Sequence, residues 1–103
     1  CYGARVSTFS PGGGPPALEL AAEIPGRLLV WLGADDPLMP ADEQQAIGSA
    51  LRAADPSAER LQCHIAPAAG HGFMCSQRSD FQPEAAEQGW QSLLELFGQI
   101  AEV

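Results

Sequence analysis

Two short stretches of the sequence hold the residue types of acid–base chemistry. Residues 34–40 read ADDPLMP and carry Asp35 and Asp36, while residues 67–73 read PAAGHGF and carry His71. Imidazole titrates near neutral pH and so can move protons, and a neighbouring carboxylate can orient the ring and stabilise its charged form. An acid followed along the chain by a histidine is two thirds of a nucleophile–histidine–acid triad, in the order acid then histidine. Asp36 is the better acid of the two. It precedes Pro37, whose ring pushes the preceding residue toward extended backbone and fixes its direction. Asp35 is expected to face solvent or cap the turn. Gly70 and Gly72 flank His71 and allow unusual backbone angles and close approach. Since most loop histidines are surface or packing residues, the value of the pair depends on where the fold sets the two loops.

The elements that must position these loops follow from apolar patterning. Residues 17–24 (ALELAAEI) contain helix formers with Leu18, Ala21 and Ala22 on one face, which predicts a short helix. Residues 27–33 (RLLVWLG) form a continuous apolar run between glycines, as expected of a strand buried on both faces. Residues 41–54 repeat Ile47, Ala50, Leu51 and Ala54 at helical spacing, with Asp42 and Glu43 in the first turn, where the helix dipole favours negative charge. Asp55-Pro56-Ser57 ends that helix. Residues 61–66 read as a second, weaker strand. Residues 83–101 predict a long amphipathic helix with Pro83 at its first position and Ala86, Trp90, Leu93, Leu94, Phe97 and Ile100 on its apolar face. Residues 1–6 are the candidate end of a further strand.

The order helix, strand, helix, strand, helix is the grammar of βαβ units, so the expected class is α/β with parallel strands flanked by helices. Two or three strands leave open edges and incompletely covered faces, which reads as an incomplete part of a larger sheet. Both candidate loops then follow the C-terminal ends of strands, the edge where open α/β sheets build their sites.

Composition narrows the function classes. The chain has 103 residues, 46% of them hydrophobic, and a net charge of -8, which allows one small domain with a limited core. It holds no lysine, and its five cations (Arg5, Arg27, Arg52, Arg60 and Arg78) are scattered. Nucleic acid, which needs a basic surface, and a polybasic membrane contact are therefore not expected partners. No run approaches the roughly 20 apolar residues of a membrane span. Cys1, Cys63 and Cys75 are an odd number without framework spacing, which reads as reduced thiols in a cytoplasmic protein. No cofactor or metal is expected. Gly12-Gly13-Gly14 has neither a strand leading into it nor a lysine after it, as a phosphate loop requires. Cys63, His64, His71 and Cys75 lack zinc spacing, and the adjacent Cys63 and His64 point to opposite faces of a strand.

Several segments match a known pattern in order along nearly the whole chain. Residues 32–40 (LGADDPLMP) resemble the acid loop of α/β-hydrolases, in which G-x-x-D-x-x-x-P closes a strand. Residues 67–73 resemble the histidine loop of the dienelactone hydrolase family, residues 80–90 (DFQPEAAEQGW) resemble its last helix, and Tyr2-Gly3 is similar to its strand end after the nucleophile helix. The resemblance implies the C-terminal part of a single α/β-hydrolase domain over residues 1–103, with Asp36 and His71 as triad acid and base. It implies a small ester or lactone as substrate and a cysteine or serine nucleophile on a G-x-C-x-G or G-x-S-x-G elbow. No such elbow occurs in these 103 residues. The expected partner is therefore a complementary N-terminal half or a second copy of the chain, and the rival expectation is a non-catalytic half-domain that functions only by such assembly. In the resemblance an arginine soon after the His-loop phenylalanine holds a substrate carboxylate. Here Phe73 is followed by Met74, Cys75, Ser76 and Gln77, so Arg78 and Phe73 are the candidate substrate contacts and carboxylate specificity is not assured.

Overall fold

A computed structural model of the chain describes residues 11–101, with side chains described for residues 12–100. The expected strand end at residues 1–6 lies outside the described residues. Two parallel strands, β1 (Leu28–Gly33) and β2 (Leu61–Ala66), pair in register from Leu28 opposite Leu61 to Gly33 opposite Ala66. Between them runs α1 (Ala41–Ala54), and α2 (Pro83–Ala101) follows.

Alternation along the strands divides the packing. Leu28, Val30 and Leu32 of β1, with Leu61 and Cys63 of β2, face α1, where they meet Ile47, Leu51 and Met39 in the larger apolar cluster. Residues 17–23 lie on the same face and contribute Leu18 and Ala21. The short helix expected over residues 17–24 is present as a 3-10 helix over Ala17–Glu23. Pro15 and Pro16 before it and Pro25 after it limit it to seven residues, too short for many α-helical bonds to compensate the cost of nucleation. On the opposite face Trp31 and Ala66 pack with Ala69, Phe73, Met74 and Ala85, the last from α2. Trp31 also stacks on His64, its register partner, with ring centroids 4.9 Å apart. Cys63 and His64 thus go to opposite faces. Cys63 and Cys75 are free thiols.

Of the expected apolar face of α2 only Ala86 and Leu93 turn inward, because the side that packs on the sheet is rotated toward Ala85, Gly89 and Leu96. Ala86 and Gly89 are buried, and Leu93 and Leu96 half-buried. Trp90, Leu94, Phe97 and Ile100 are exposed, Leu94 by 67% and Phe97 by 57%. The apolar arc of α2 is wider than the two-stranded sheet it rests on. For the same reason β1 is half-buried along residues 28–31 instead of enclosed on both faces. Among the described residues its only strand neighbour is β2. No described helix is long and apolar enough to cross a membrane.

The α1–β2 connection is closed by Asp55. Its Oδ2 accepts hydrogen bonds from the backbone N–H groups of Arg60 at 2.7 Å and Leu61 at 3.0 Å, and its Oδ1 accepts from the Ser57 hydroxyl at 2.7 Å. The Leu61 and Arg60 N–H groups, in that order, with the Ser57 hydroxyl, hold the carboxyl down at about 2. A carboxyl lowered on folding stabilises the native state above its ordinary value of 3.8, and the contribution fades as pH falls toward about 2. Asp55→Asn is therefore expected to lower the urea midpoint at neutral pH, with the gap to the unaltered chain closing as the pH is taken from about 4 to about 2.

Candidate active site

The strand ends deliver the two loops to one place. Past Gly33 and Ala66 the ladder continues as loop-to-loop bonds: Ala34 N–H donates to the Ala66 carbonyl at 2.9 Å, and Asp35 N–H donates to the Ala69 carbonyl, also at 2.9 Å. Such closeness requires a glycine at position 33. A Cβ there would collide with the carbonyl oxygens of Ala69 and Gly70. The Gly33 carbonyl, for its part, accepts from Asp36 N–H at 3.1 Å and from Gln44 Nε2 at 2.9 Å. Gln44 Nε2 also donates to the Met39 carbonyl at 2.7 Å, so one side chain, only 4% exposed, ties both ends of the Asp36 loop to the first turn of α1.

Within this frame Asp36 Oδ2 lies 2.7 Å from His71 Nδ1, and Asp36 Oδ1 accepts from Leu38 N–H at 2.8 Å. Asp36 is 8% exposed, while the His71 side chain retains 20% of its accessible surface. A carboxylate so enclosed needs hydrogen bonds at both oxygens to offset lost hydration, and it has them. An ionised carboxylate can only accept, so opposite an ionised Asp36 the neutral ring carries its proton on Nδ1, and a further proton would go to Nε2. Asp35 is exposed, as expected of the residue that does not pair.

The His71 loop is held from behind. After Phe73 the chain makes a detour and returns, closed by Gln82 N–H donating to the Phe73 carbonyl at 3.0 Å and by Gln82 Nε2 on the Ala68 carbonyl at 3.1 Å. The detour brings Arg78 and Asp80 against Gly72. Asp80 Oδ2 accepts from Gly72 N–H at 2.8 Å, and Arg78 Nε donates to Asp80 Oδ1 at 3.3 Å. The Gly72 N–H foremost, with a contribution from Arg78, holds the Asp80 carboxyl below the usual carboxylate range.

Asp36 and His71 open onto an apolar groove that runs along β1 and is lined also by Trp31, Phe73, Met74, Cys75, Trp90 and Leu93. Phe73 belongs to this lining, although it is buried and packs chiefly on Ala66 and Ala69. Arg78 is brought close to the loop but is not part of the lining. Among the described residues, no three His, Cys, Asp or Glu side chains gather as a metal ion would need. Gln44 and Asp80 were not singled out in the sequence. Gln44 left a signal, a polar residue on the helical stripe of Ile47 and Leu51, whereas nothing local marks Asp80.

Comparison with known proteins agrees with this architecture. The family model described as "Dienelactone hydrolase family" matches residues 2–101. A protein of Synechocystis sp. (strain ATCC 27184 / PCC 6803 / Kazusa) named "Putative carboxymethylenebutenolidase" is 31% identical over 96 residues, 93% of this chain and 38% of that protein. One of the same name from Escherichia coli (strain K12) is 31% identical over 98 residues, 95% of this chain and 35% of that protein. The crystal structure of a "Putative Dienelactone Hydrolase" from Klebsiella pneumoniae subsp. pneumoniae MGH 78578 superposes with a TM-score of 0.73 at 28% identity, covering 94% of this chain and 39% of that one. The chain belongs to the dienelactone hydrolase family and has the α/β-hydrolase fold, of which it carries an incomplete sheet. It spans well under half the length of these relatives.

The contact at Gly33 can be tested directly. Gly33→Ala is expected to destabilise the fold by at least about 1–3 kcal/mol, because its methyl group meets backbone rather than a movable side chain. It should also weaken or abolish the His71 Nδ1–H resonance in proton NMR. Gly26→Ala, where an added methyl meets nothing within 4 Å, is expected to stay within about 0.5 kcal/mol by the same denaturation measurement.

Proposed function

We propose that this chain supplies the acid and the base of a Cys- or Ser-His-Asp triad that hydrolyses a small ester or lactone, and that it does so joined to the part of the fold carrying the nucleophile. The observation that carries this reading is the 2.7 Å bond between Asp36 and His71 at the C-terminal ends of two paired parallel strands. Membership of the family supports it, as do the relatives named for carboxymethylenebutenolidase activity.

His71 Nε2 takes the proton of the nucleophile, or shares it in an ion pair with a thiolate, as the sulfur or oxygen attacks the carbonyl carbon. Asp36 stabilises the imidazolium so formed and keeps Nε2 aimed at the reacting atoms. Collapse of the tetrahedral intermediate breaks the ester C–O bond, and His71 returns the proton to the departing alkoxide. Water then attacks the acyl-enzyme, giving one proton to His71; the acyl bond to the nucleophile breaks, His71 returns that proton to the sulfur or oxygen, and the carboxylic acid leaves. Phe73, Met74 and Trp90 favour an apolar group beside the carbonyl. Arg78, engaged with Asp80, would meet a substrate carboxylate only by giving up part of that bond.

The need for a companion rests on the surface as well as on the absent elbow. The groove along β1 and the exposed Trp90, Leu94 and Phe97 of α2 form a continuous apolar area of the kind that soluble proteins cover. The relatives have about 60% of their length outside the matched region, enough to cover it, and that part is the proposed partner. Self-association is the rival occupant. If the chain alone runs as a discrete homo-oligomer in size-exclusion chromatography and does not bind a supplied N-terminal half, assembly without catalysis is the better reading.

In the assembled protein, Asp36→Asn is expected to lower kcat for an aryl ester by about 10³–10⁴-fold, because the amide cannot hold the productive tautomer. His71→Ala should lose at least as much. Unchanged turnover in either variant would remove the triad assignment.

A further inference from the structure

We infer that Asp80 is a positioning residue for His71, acting as a wedge between the two glycines that flank it; this rests on His71 being the catalytic base. Three observations converge. Asp80 Oδ2 takes the backbone N–H of Gly72, the residue directly after His71, at 2.8 Å. A Cβ on Gly70 would come within 3.0 Å of Asp80 Oδ2, and one on Gly72 would meet the Arg78 side chain first and Asp80 Oδ1 next, at 2.5 Å, so the carboxylate fills the room beside Gly70 and shares with Arg78 the room beside Gly72. Arg78 lies over the same glycine, its Nε 3.3 Å from Asp80 Oδ1.

The consequence for His71 follows from how the loop is tethered. On the N-terminal side it is held by the Ala69 carbonyl, which accepts from Asp35 N–H. On the C-terminal side the Gly72 carbonyl accepts from Cys75 N–H at 3.0 Å, a bond within the loop's own turn. Asp80 is the tether at Gly72 that reaches across the detour, and its carboxylate makes a charge-assisted bond stronger than a neutral one. Glycines on both sides make the backbone around His71 permissive, so an external group must select the one conformation that sets Nδ1 on Asp36. The Asp80–Arg78 ion pair is not offered as the source of the effect. Both side chains keep much of their exposure, and exposed pairs contribute little.

The test compares Asp80→Ala, which removes the acceptor, with Asp80→Asn, which keeps an oxygen that the Gly72 N–H can use. With histidine labelled in nitrogen-15, the Nδ1–H signal of His71 reports the bond to Asp36 without any turnover. The inference expects that signal broadened or lost in Asp80→Ala and retained in Asp80→Asn. In the assembled protein kcat should fall about 10- to 100-fold in Asp80→Ala with KM changed less than about threefold, and recover most of the way in Asp80→Asn, the range expected of misplacing a catalytic group by up to about 1 Å. A wild-type His71 signal in folded Asp80→Ala overturns the inference. So does equal loss in both variants with unfolding, which marks a purely structural role. If the signal responds as expected while the assembled protein hydrolyses no ester, the positioning stands and it is the proposed function that fails.

Discussion

A glycine at the end of the first strand allows everything at the site to exist. The carbonyl oxygens of Ala69 and Gly70 lie where a side chain of residue 33 would be. Because nothing is there, the segments after β1 and β2 approach closely enough for backbone bonds to continue from Ala34 to Ala66 and from Asp35 to Ala69. Asp36 is one residue beyond the second of these bonds, and His71 two residues beyond Ala69. The acid–base bond is thus a continuation of the sheet, its length set by parallel pairing and not by the flexibility of two loops.

Around that contact, polar groups substitute for the rigidity that loops lack. Gln44 is buried in the first turns of α1, yet its amide nitrogen donates to the Met39 carbonyl and adds a second donor, beside Asp36 N–H, to the Gly33 carbonyl. Asp55 does the same at the other end of the sheet, taking the N–H groups of Arg60 and Leu61 as β2 begins. In each case one side chain bonds two backbone groups of a connection, and each connection borders a strand that must keep its register. An enclosed carboxylate such as Asp36 can be held because its two oxygens have His71 and the Leu38 N–H as partners.

The apolar side of the molecule shows the opposite condition. α2 presents Trp90, Leu94, Phe97 and Ile100 outward, and β1 has β2 as its one described strand neighbour. Burying such residues is the main favourable term in folding, and leaving them in water forfeits it. Trp90 belongs both to this surface and to the lining of the groove onto which Asp36 and His71 open.

Much of this was legible in the residues. The bounds of α1, β2 and α2 follow from apolar spacing and from Pro and Gly punctuation, because both act over a few residues of chain. Asp36 and His71 could be paired from sequence because their loops follow strands, where such sheets build sites, and because both loops resemble a known family's; the structure brings the two side chains together. What local pattern did not reveal depended on residues far apart in sequence. The apolar stripe of α2 is visible in the sequence, but its exposure depends on the width of the sheet beneath it. Asp80 looks ordinary in sequence because its partner, the Gly72 amide, is a backbone group; Gln44 shows only as a polar residue on an apolar stripe, and nothing in the sequence places Gly33 against the Ala69 and Gly70 carbonyls. Sequence alone determined which groups can do the chemistry, since that depends on side-chain type. Only the tertiary structure decided that two of them meet at 2.7 Å, because that distance depends on backbone packing at a residue with no side chain at all.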